Sequence, residues 1–176
     1  MNTKKTITTK IYDLLKTKNL SGSKLGKLIN VSDGALYSMI NGERPFPEDK
    51  IQKIAPILEV STEEIKGWIL SDKYPKNILE MAVNIKHETP QEEGKIILTS
   101  KINEILQQKG ISRTALSKLI NYSQGKLNEM IIGKEPISPL VISKIALVLE
   151  VSEDEITSWI VADKYSLEAL IWSVRQ

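Results

Sequence analysis

The chain contains the same unit twice. Residues 8–85 align with residues 99–176 without a gap, and 35 of the 78 aligned pairs are identical. The agreement is closest where IAPILEVSTEEIKGWILSDKY (54–74) meets IALVLEVSEDEITSWIVADKY (145–165). A repeat of this length occurring only twice does not indicate a solenoid. Each unit is instead long enough to have a small core of its own.

A polar segment separates the two repeats. It reads HETPQEEGK (87–95), and Pro90 and Gly94 within it disfavour regular structure. The sequence therefore predicts a first domain at 1–86, a linker at 87–97 and a second domain at 98–176. A linker of about ten residues can span at most roughly 33–36 Å.

Composition limits the kinds of chemistry that we expect. The chain has no cysteine, which excludes disulfides and thiolate zinc sites, and its one histidine, His87, falls in the polar segment. We therefore expect no metal and no cofactor. No stretch approaches the roughly 18 apolar residues of a membrane span, and no apolar run follows the N-terminal lysines. These features predict a cytoplasmic protein with no membrane partner.

Each repeat predicts five to six helices and no strand. Apolar residues recur at helical spacing, as in Ile11, Leu14 and Leu15, and nothing alternates with the period of a strand. Pro56 lies inside the fourth helix, where the second repeat has Leu147, and it predicts a kink or an early end. Leu28 and Leu119 are assigned to the apolar side of the second helix of each repeat. Serines that precede apolar runs are predicted N-caps, namely Ser21, Ser32, Ser61, Ser112, Ser123 and Ser152.

The second and third helices have the spacing of a known DNA-binding motif. In the first repeat it comprises Leu20-Ser21, Leu25, Leu28, Val31-Ser32, Leu36, Met39, Asn41-Gly42 and Pro45, followed by Leu58-Glu59-Val60-Ser61. This pattern resembles the Cro/C1-type (Xre) helix-turn-helix family along residues 8–66, and again along 99–157. The resemblance implies an all-α protein with two tandem lambda-repressor-like domains. The sequence departs from the family at Gly22 and Arg113, where Gln is common, and at Ile40 and Ile131, where Glu is common.

The resemblance also implies a function. Proteins of this family are sequence-specific regulators of transcription that bind double-stranded DNA, often as repressors, in bacteria or phages. This chain would have two recognition helices and associate with the nucleoid. The family pattern assigns base reading to nine residues of the two third helices: Asp33, Gly34, Tyr37 and Ser38, then Gln124, Gly125, Lys126, Asn128 and Glu129.

These side chains suit the edges of bases. Gln and Asn can bind adenine through two hydrogen bonds, Lys suits guanine, and a carboxylate can accept from the amino group of cytosine. Two of the residues have alternative interpretations. Asp33 can instead stabilise the helix dipole as a first-turn acid, and Tyr37 can pack on a neighbouring side chain rather than on a base.

Phosphate contacts are expected near the start of the second helix and just after the third. The candidates are Lys24, Lys27, Arg44, Arg113, Lys118 and Lys134, and the Lys4–Lys5 arm can add to them. Formal charge supports this placement. Residues 8–47 and 99–137 each have a net charge of +3, whereas 48–85 and 138–176 have −2 and −3. The helix-turn-helix part of each repeat is thus the basic part.

An interaction module remains the alternative function. Asp33, Glu43, Glu129 and Glu135 would face phosphates unfavourably, so the fold could instead serve an antitoxin-like or adaptor role. No motif of an enzyme is present, and we expect no catalytic activity. We also expect that two chains could pair through their C-terminal helices, which contain the apolar run of Leu170, Ile171 and Trp172.

Overall fold

The computed structural model describes residues 5–89 and 96–176, and all regular structure within them is α-helical. The first repeat contains α1 (Thr6–Thr17), α2 (Gly22–Leu28), α3 (Asp33–Ile40), α4 (Glu48–Leu58), α5 (Thr62–Lys73) and α6 (Lys76–Glu88). The second contains α7 (Ile97–Gln108), α8 (Arg113–Leu119), α9 (Gln124–Ile131), α10 (Pro139–Leu149), α11 (Glu153–Lys164) and α12 (Leu167–Val174). Every helix of the second repeat begins 91 residues after its counterpart. The all-α prediction is confirmed, and the described residues hold six helices per repeat where five to six were predicted.

Serine side chains cap five of the described helices, at positions that the sequence predicts. Ser61 Oγ accepts from the Glu64 backbone N–H at 3.0 Å, and Ser152 forms a complete capping box with Glu155. Ser123 is the exception, because it occupies the N-cap of α9 but makes no side-chain cap hydrogen bond. The predicted N-cap position of Ser123 is therefore confirmed, although its side chain does not form the cap bond. The other predicted caps form through Ser21, Ser32 and Ser112.

Pro56 does not shorten the fourth helix. α4 continues through Pro56 to Leu58, and α10 ends at the equivalent Leu149. The prediction of an early end is wrong because Pro56 removes only one N–H near the last turn, while Ile54, Ala55 and Leu58 are buried there and hold the turn in place.

The core of the first repeat is built from one face of each of its first five helices. It contains Ile11 of α1, Leu25 of α2, Ile54 of α4 and Trp68 of α5, of which Trp68 is only 2% exposed. Trp159 is buried in the same way in the second repeat. Leu28 and Leu119, by contrast, are 56% and 61% exposed, so their assignment to the apolar side of the second helix is wrong. The short second helix buries only its opposite side.

The compact units of the structure differ from the sequence repeats at their ends. One unit consists of residues 1–79 and 168–176, and the other consists of residues 80–167. The last helix of the chain, α12, therefore packs with the first repeat, where Ala169 and Leu170 are buried. No contiguous fragment of the chain contains the first unit complete.

Helices extend into both ends of the predicted linker. His87 and Glu88 belong to α6, and Ile97 is the first residue of α7. Residues 90–95, which make up most of the predicted linker, lie outside the described residues. The domain boundaries at 86 and 98 stay a prediction.

A carboxylate from the fifth helix binds the amino end of the first helix in each repeat. Asp72 accepts from the backbone N–H groups of Thr6 at 2.7 Å and Ile7 at 3.0 Å. Asp163 accepts in the same way from Ile97 and Leu98, at 2.7 and 2.9 Å. The first N–H groups of a helix have no partner within it, and its amino end attracts negative charge. This contact gives a role to the repeated Asp-Lys-Tyr sequence at 72–74 and 163–165.

Replacing Asp72 should destabilise the protein. We expect Asp72→Ala to lower the free energy of unfolding by about 1–2 kcal/mol, because two helix N–H groups lose a charged acceptor. Urea denaturation measures this loss. Asp13→Ala is the control, because it removes an exposed acid of α1 that does not cap the helix. It should change the free energy of unfolding by less than about 0.5 kcal/mol. Equal losses in the two variants would contradict the capping role.

Candidate nucleic-acid interface

A tight turn joins the second helix to the third in both repeats. Asn30 and Asn121 adopt left-handed backbone conformations, with φ of 56° and 50°. The backbone N–H of Val31 donates to Gly26 O at 2.8 Å, and that of Tyr122 donates to Ser117 O at 2.9 Å. Asparagine tolerates this conformation better than most residues. The two chain segments thus form equivalent helix-turn-helix units.

The first helix fixes the position of the third. Thr8 Oγ1 donates to Ile40 O at 2.8 Å in a buried hydrogen bond, and Thr99 Oγ1 donates to Ile131 O at 2.7 Å. Ile40 and Ile131 are the last residues of α3 and α9, whose carbonyls have no partner inside the helix. Each threonine therefore anchors the carboxyl end of the helix that would read DNA. Sequence reasoning missed both threonines.

α3 has one face in the core and one on the surface. Leu36, Met39 and Ile40 are buried, whereas the predicted base readers Asp33 and Gly34 are exposed. Ser38 is half-buried. The structure thus places the predicted readers of the first repeat on one helix, with its amino end free of covering side chains at these positions.

Tyr37 lies on the same face and is 57% exposed. Burial raises the pKa of Tyr12, and the charge of a nearby Tyr37 phenolate raises it further. More than half of the side chain still remains accessible to a base.

α9 presents a different set of polar groups. Gln124, Gly125, Lys126 and Glu129 are exposed, and Asn128 is half-buried. The Oδ1 atom of Asn128 is buried without a hydrogen-bond partner among the described residues. Binding adenine through two hydrogen bonds needs both ends of the amide. Asn128 therefore needs a different side-chain rotamer, with both ends of the amide exposed, to make that contact.

The predicted phosphate contacts lie on α2, α8 and the loops after α3 and α9. Lys24, Lys27, Arg44, Lys118 and Lys134 are exposed. Arg113 is half-buried, and its Nε donates to Asn103 Oδ1 of α7 at 2.8 Å. This bond orients Arg113 and leaves its terminal nitrogens as further donors.

The loops after α3 and α9 have the same backbone but reversed charges. Ser38 O accepts from the N–H groups of Glu43 and Arg44, and Glu129 O accepts from those of Lys134 and Glu135. The basic residue is therefore the second of the pair in the first loop (Arg44) and the first of the pair in the second loop (Lys134). Lys5 adds a further positive charge to the first loop, because its Nζ donates to Gly42 O at 3.2 Å. Lys4 lies outside the described residues.

Comparison with known families agrees with this geometry. Residues 11–65 match the family described as helix-turn-helix, and residues 101–162 match the Cro/C1-type HTH DNA-binding domain. The chain therefore has two DNA-binding domains of the helix-turn-helix class in tandem. Residues 101–162 thus belong to the Cro/C1-type helix-turn-helix family, and residues 11–65 belong to the helix-turn-helix class. No curated protein and no solved structure matches the chain.

Between residues 5–89 and 96–176, no cluster of three or more His, Cys, Asp or Glu side chains is placed to hold a metal ion. No helix in these ranges is long and apolar enough to cross a membrane.

Removing the Thr8 hydroxyl should loosen α3. We expect Thr8→Val to lower the free energy of unfolding by about 1–3 kcal/mol, because the buried Ile40 carbonyl loses its donor. Thr9→Val is the matched control, since the Thr9 hydroxyl makes only an exposed bond to Lys5 O. Chemical denaturation of both variants gives the comparison. The anchoring role is excluded if Thr9→Val costs as much as Thr8→Val.

Proposed function

We propose that the protein is a transcriptional regulator of the repressor kind, which binds double-stranded DNA sequence-specifically with α3 and α9 as two recognition helices. The observation that carries this proposal is the pair of helix-turn-helix units, each with an exposed polar face on its third helix beside basic residues. A helix fits the major groove and reads base edges from its amino-terminal part. The location that this proposal assigns to the protein is the cytoplasm, in association with the nucleoid.

The two recognition helices differ in chemistry. Asp33 and Tyr37 of α3 correspond to Gln124 and Asn128 of α9. An acid can accept from cytosine and a tyrosine ring can contact a thymine methyl, whereas the two amides favour adenine. One chain would therefore read an asymmetric site with two different halves. Half-sites contacted on one face of DNA lie about 34 Å apart.

Phosphate binding would come from the basic residues around each motif. Lys27 and Lys118 occupy equivalent places in the last turns of α2 and α8. Lys24, Arg44, Arg113 and Lys134 complete the proposed set. The amino ends of α2 and α8 add backbone N–H groups that favour phosphate oxygens.

A protein-interaction role is the second candidate. The exposed acids Asp33, Glu43, Glu129 and Glu135 favour it, because each would repel phosphate on the surface assigned to DNA. Exposed Leu28 and Leu119 add apolar area next to the motifs. In this case an antitoxin-like or adaptor function would use the same surfaces.

Pairing of two chains through their C-terminal helices also stays a proposal. Leu170 of α12 is fully buried within its own unit, so it is not available to a second chain. Ile171 and Trp172 are half-buried and retain some accessible surface. Sedimentation of the free protein at micromolar concentration tests this pairing directly.

Selection from a random pool of duplex DNA is the experiment that tests the function. It should use the full chain, because the first compact unit includes residues 168–176. We expect a motif with two different halves about one helical turn apart, recovered at two salt concentrations. If no motif is recovered and binding vanishes steeply with salt, only phosphate attraction remains. The interaction role would then replace the DNA-binding proposal.

Replacing one proposed base reader should weaken binding only to the selected sequence. We expect Gln124→Ala to reduce specific affinity by about 5–100-fold, with affinity for unrelated DNA unchanged, because a hydrogen-bonded base contact is lost. Competition gel-shift assays measure both values. Gln107→Ala removes an exposed glutamine of α7 and should leave both affinities unchanged. If both variants retain the specific affinity, Gln124 reads no base.

Replacing a proposed phosphate contact should act on all sequences alike. We expect Lys27→Ala and Lys118→Ala each to lower the slope of log affinity against log salt by about 0.9, because one fewer counterion is released. Titrations at four salt concentrations measure the slope. Lys53→Ala, in the acidic part of the first repeat, should leave it unchanged. Equal slopes in all variants would exclude the phosphate role.

A further inference from the structure

The second compact unit contains a groove that the helix-turn-helix motif does not use. It has a volume of about 370 Å³ and lies between α6, α7 and α11. Met81, Ile85, Ile105, Val151 and Trp159 form its apolar lining. Small-molecule sites commonly have volumes of roughly 300–1,000 Å³, with an apolar lining and a few polar groups. The groove meets this description at its small end.

The equivalent place in the first unit is occupied by a tryptophan. Met81 corresponds to Trp172 of α12, and Ser158 corresponds to Gly67 of α5. A Cβ atom at Gly67 would lie only 2.4 Å from Trp172 Cβ and 3.0 Å from the backbone nitrogen of Ser173. α12 therefore contacts the backbone of α5, and only a glycine at position 67 permits this approach.

The second unit cannot pack in the same way. Ser158 is fully buried, and its Oγ donates to Glu155 O at 2.6 Å. A side chain at this position prevents the close approach that Gly67 permits. Met81 is also narrower than tryptophan and is flexible enough to adapt to an occupant. In the second unit Met81 thus stands where the first unit has Trp172, and the groove lies beside it.

Polar groups of the lining indicate the charge of an occupant. Lys101 Nζ lies 3.9 Å from Glu104 Oε2, so the two charges largely offset each other. Glu155 also lines the groove, with Oε2 accepting from Ser152 N at 2.8 Å. The lining therefore has one cation and two carboxylates. This balance favours a neutral ligand over an anionic one.

We propose that this groove binds a neutral, planar, bicyclic aromatic molecule of the indole type. The ring would lie beside Met81 and against Ile85 and Ile105, in the place that Trp172 takes in the first unit. The site is independent of the proposed DNA binding, because it involves none of the residues assigned to bases or phosphates.

Methyl NMR of the full chain tests the proposal with indole itself as the probe. We expect selective shifts of the Met81, Ile85 and Ile105 methyl groups and a Kd on the order of 1 mM for a ligand of this size. Met39, in the core of the first unit, serves as the internal control. Indole-3-acetate should bind more weakly than indole. The proposal would be overturned if no methyl group shifts at indole concentrations several-fold above the expected Kd. Shifts spread over all methyl groups would overturn it as well.

Filling the groove should abolish binding. The double variant Met81→Trp with Ser158→Gly reproduces the pair found in the first unit, and we expect it to weaken indole binding at least tenfold. Met81→Leu preserves the volume of the groove. Its Kd for indole, measured from the Ile85 and Ile105 signals, should stay within about threefold of the Kd of the original chain. If the double variant does not fold, Met81→Phe is the second variant. It fills part of the groove and should weaken indole binding, by less than the double variant is expected to. Unchanged affinity in the folded filled variants would contradict the site.

Discussion

The first helix of each repeat is fixed at its amino end, and the position of the recognition helix depends on it. The carboxylate of Asp72 holds the first N–H groups of α1, and Thr8 of the same turn donates to the last carbonyl of α3. A few residues of α1 thus connect the fifth helix to the third. Because helix ends leave backbone groups without partners, satisfying them from another helix also sets the relative position of the two helices.

The two repeats share this framework and differ on their surfaces. Asp163 and Thr99 reproduce the same bonds in the second repeat at nearly the same distances. The exposed positions are not held in this way. A change inside a packed core alters its volume and costs stability, whereas exposed substitutions cost little. The outward faces of α3 and α9 are therefore free to carry different side chains on one scaffold.

One small difference inside the core has a larger effect. Gly67 lets α12 approach the backbone of α5 in the first unit, whereas the equivalent position of the second unit holds the fully buried Ser158. One added side chain at a helix crossing changes the spacing along the whole contact, because interiors are closely packed. We therefore expect the two units to differ in packing at this helix crossing.

The sequence by itself determined the duplication, the all-α class, the capping serines and the helix-turn-helix pattern. These signals lie within a few residues of one another, so apolar spacing and capping serines suffice to find them. Only the tertiary structure decided that Asp72 and Thr8 bind helix ends, because their partners lie 65–66 and 32 residues away. It also decided that Leu28 faces outward and that α12 packs with residues 1–79. Such choices depend on which surfaces meet, and local pattern carries no information about that.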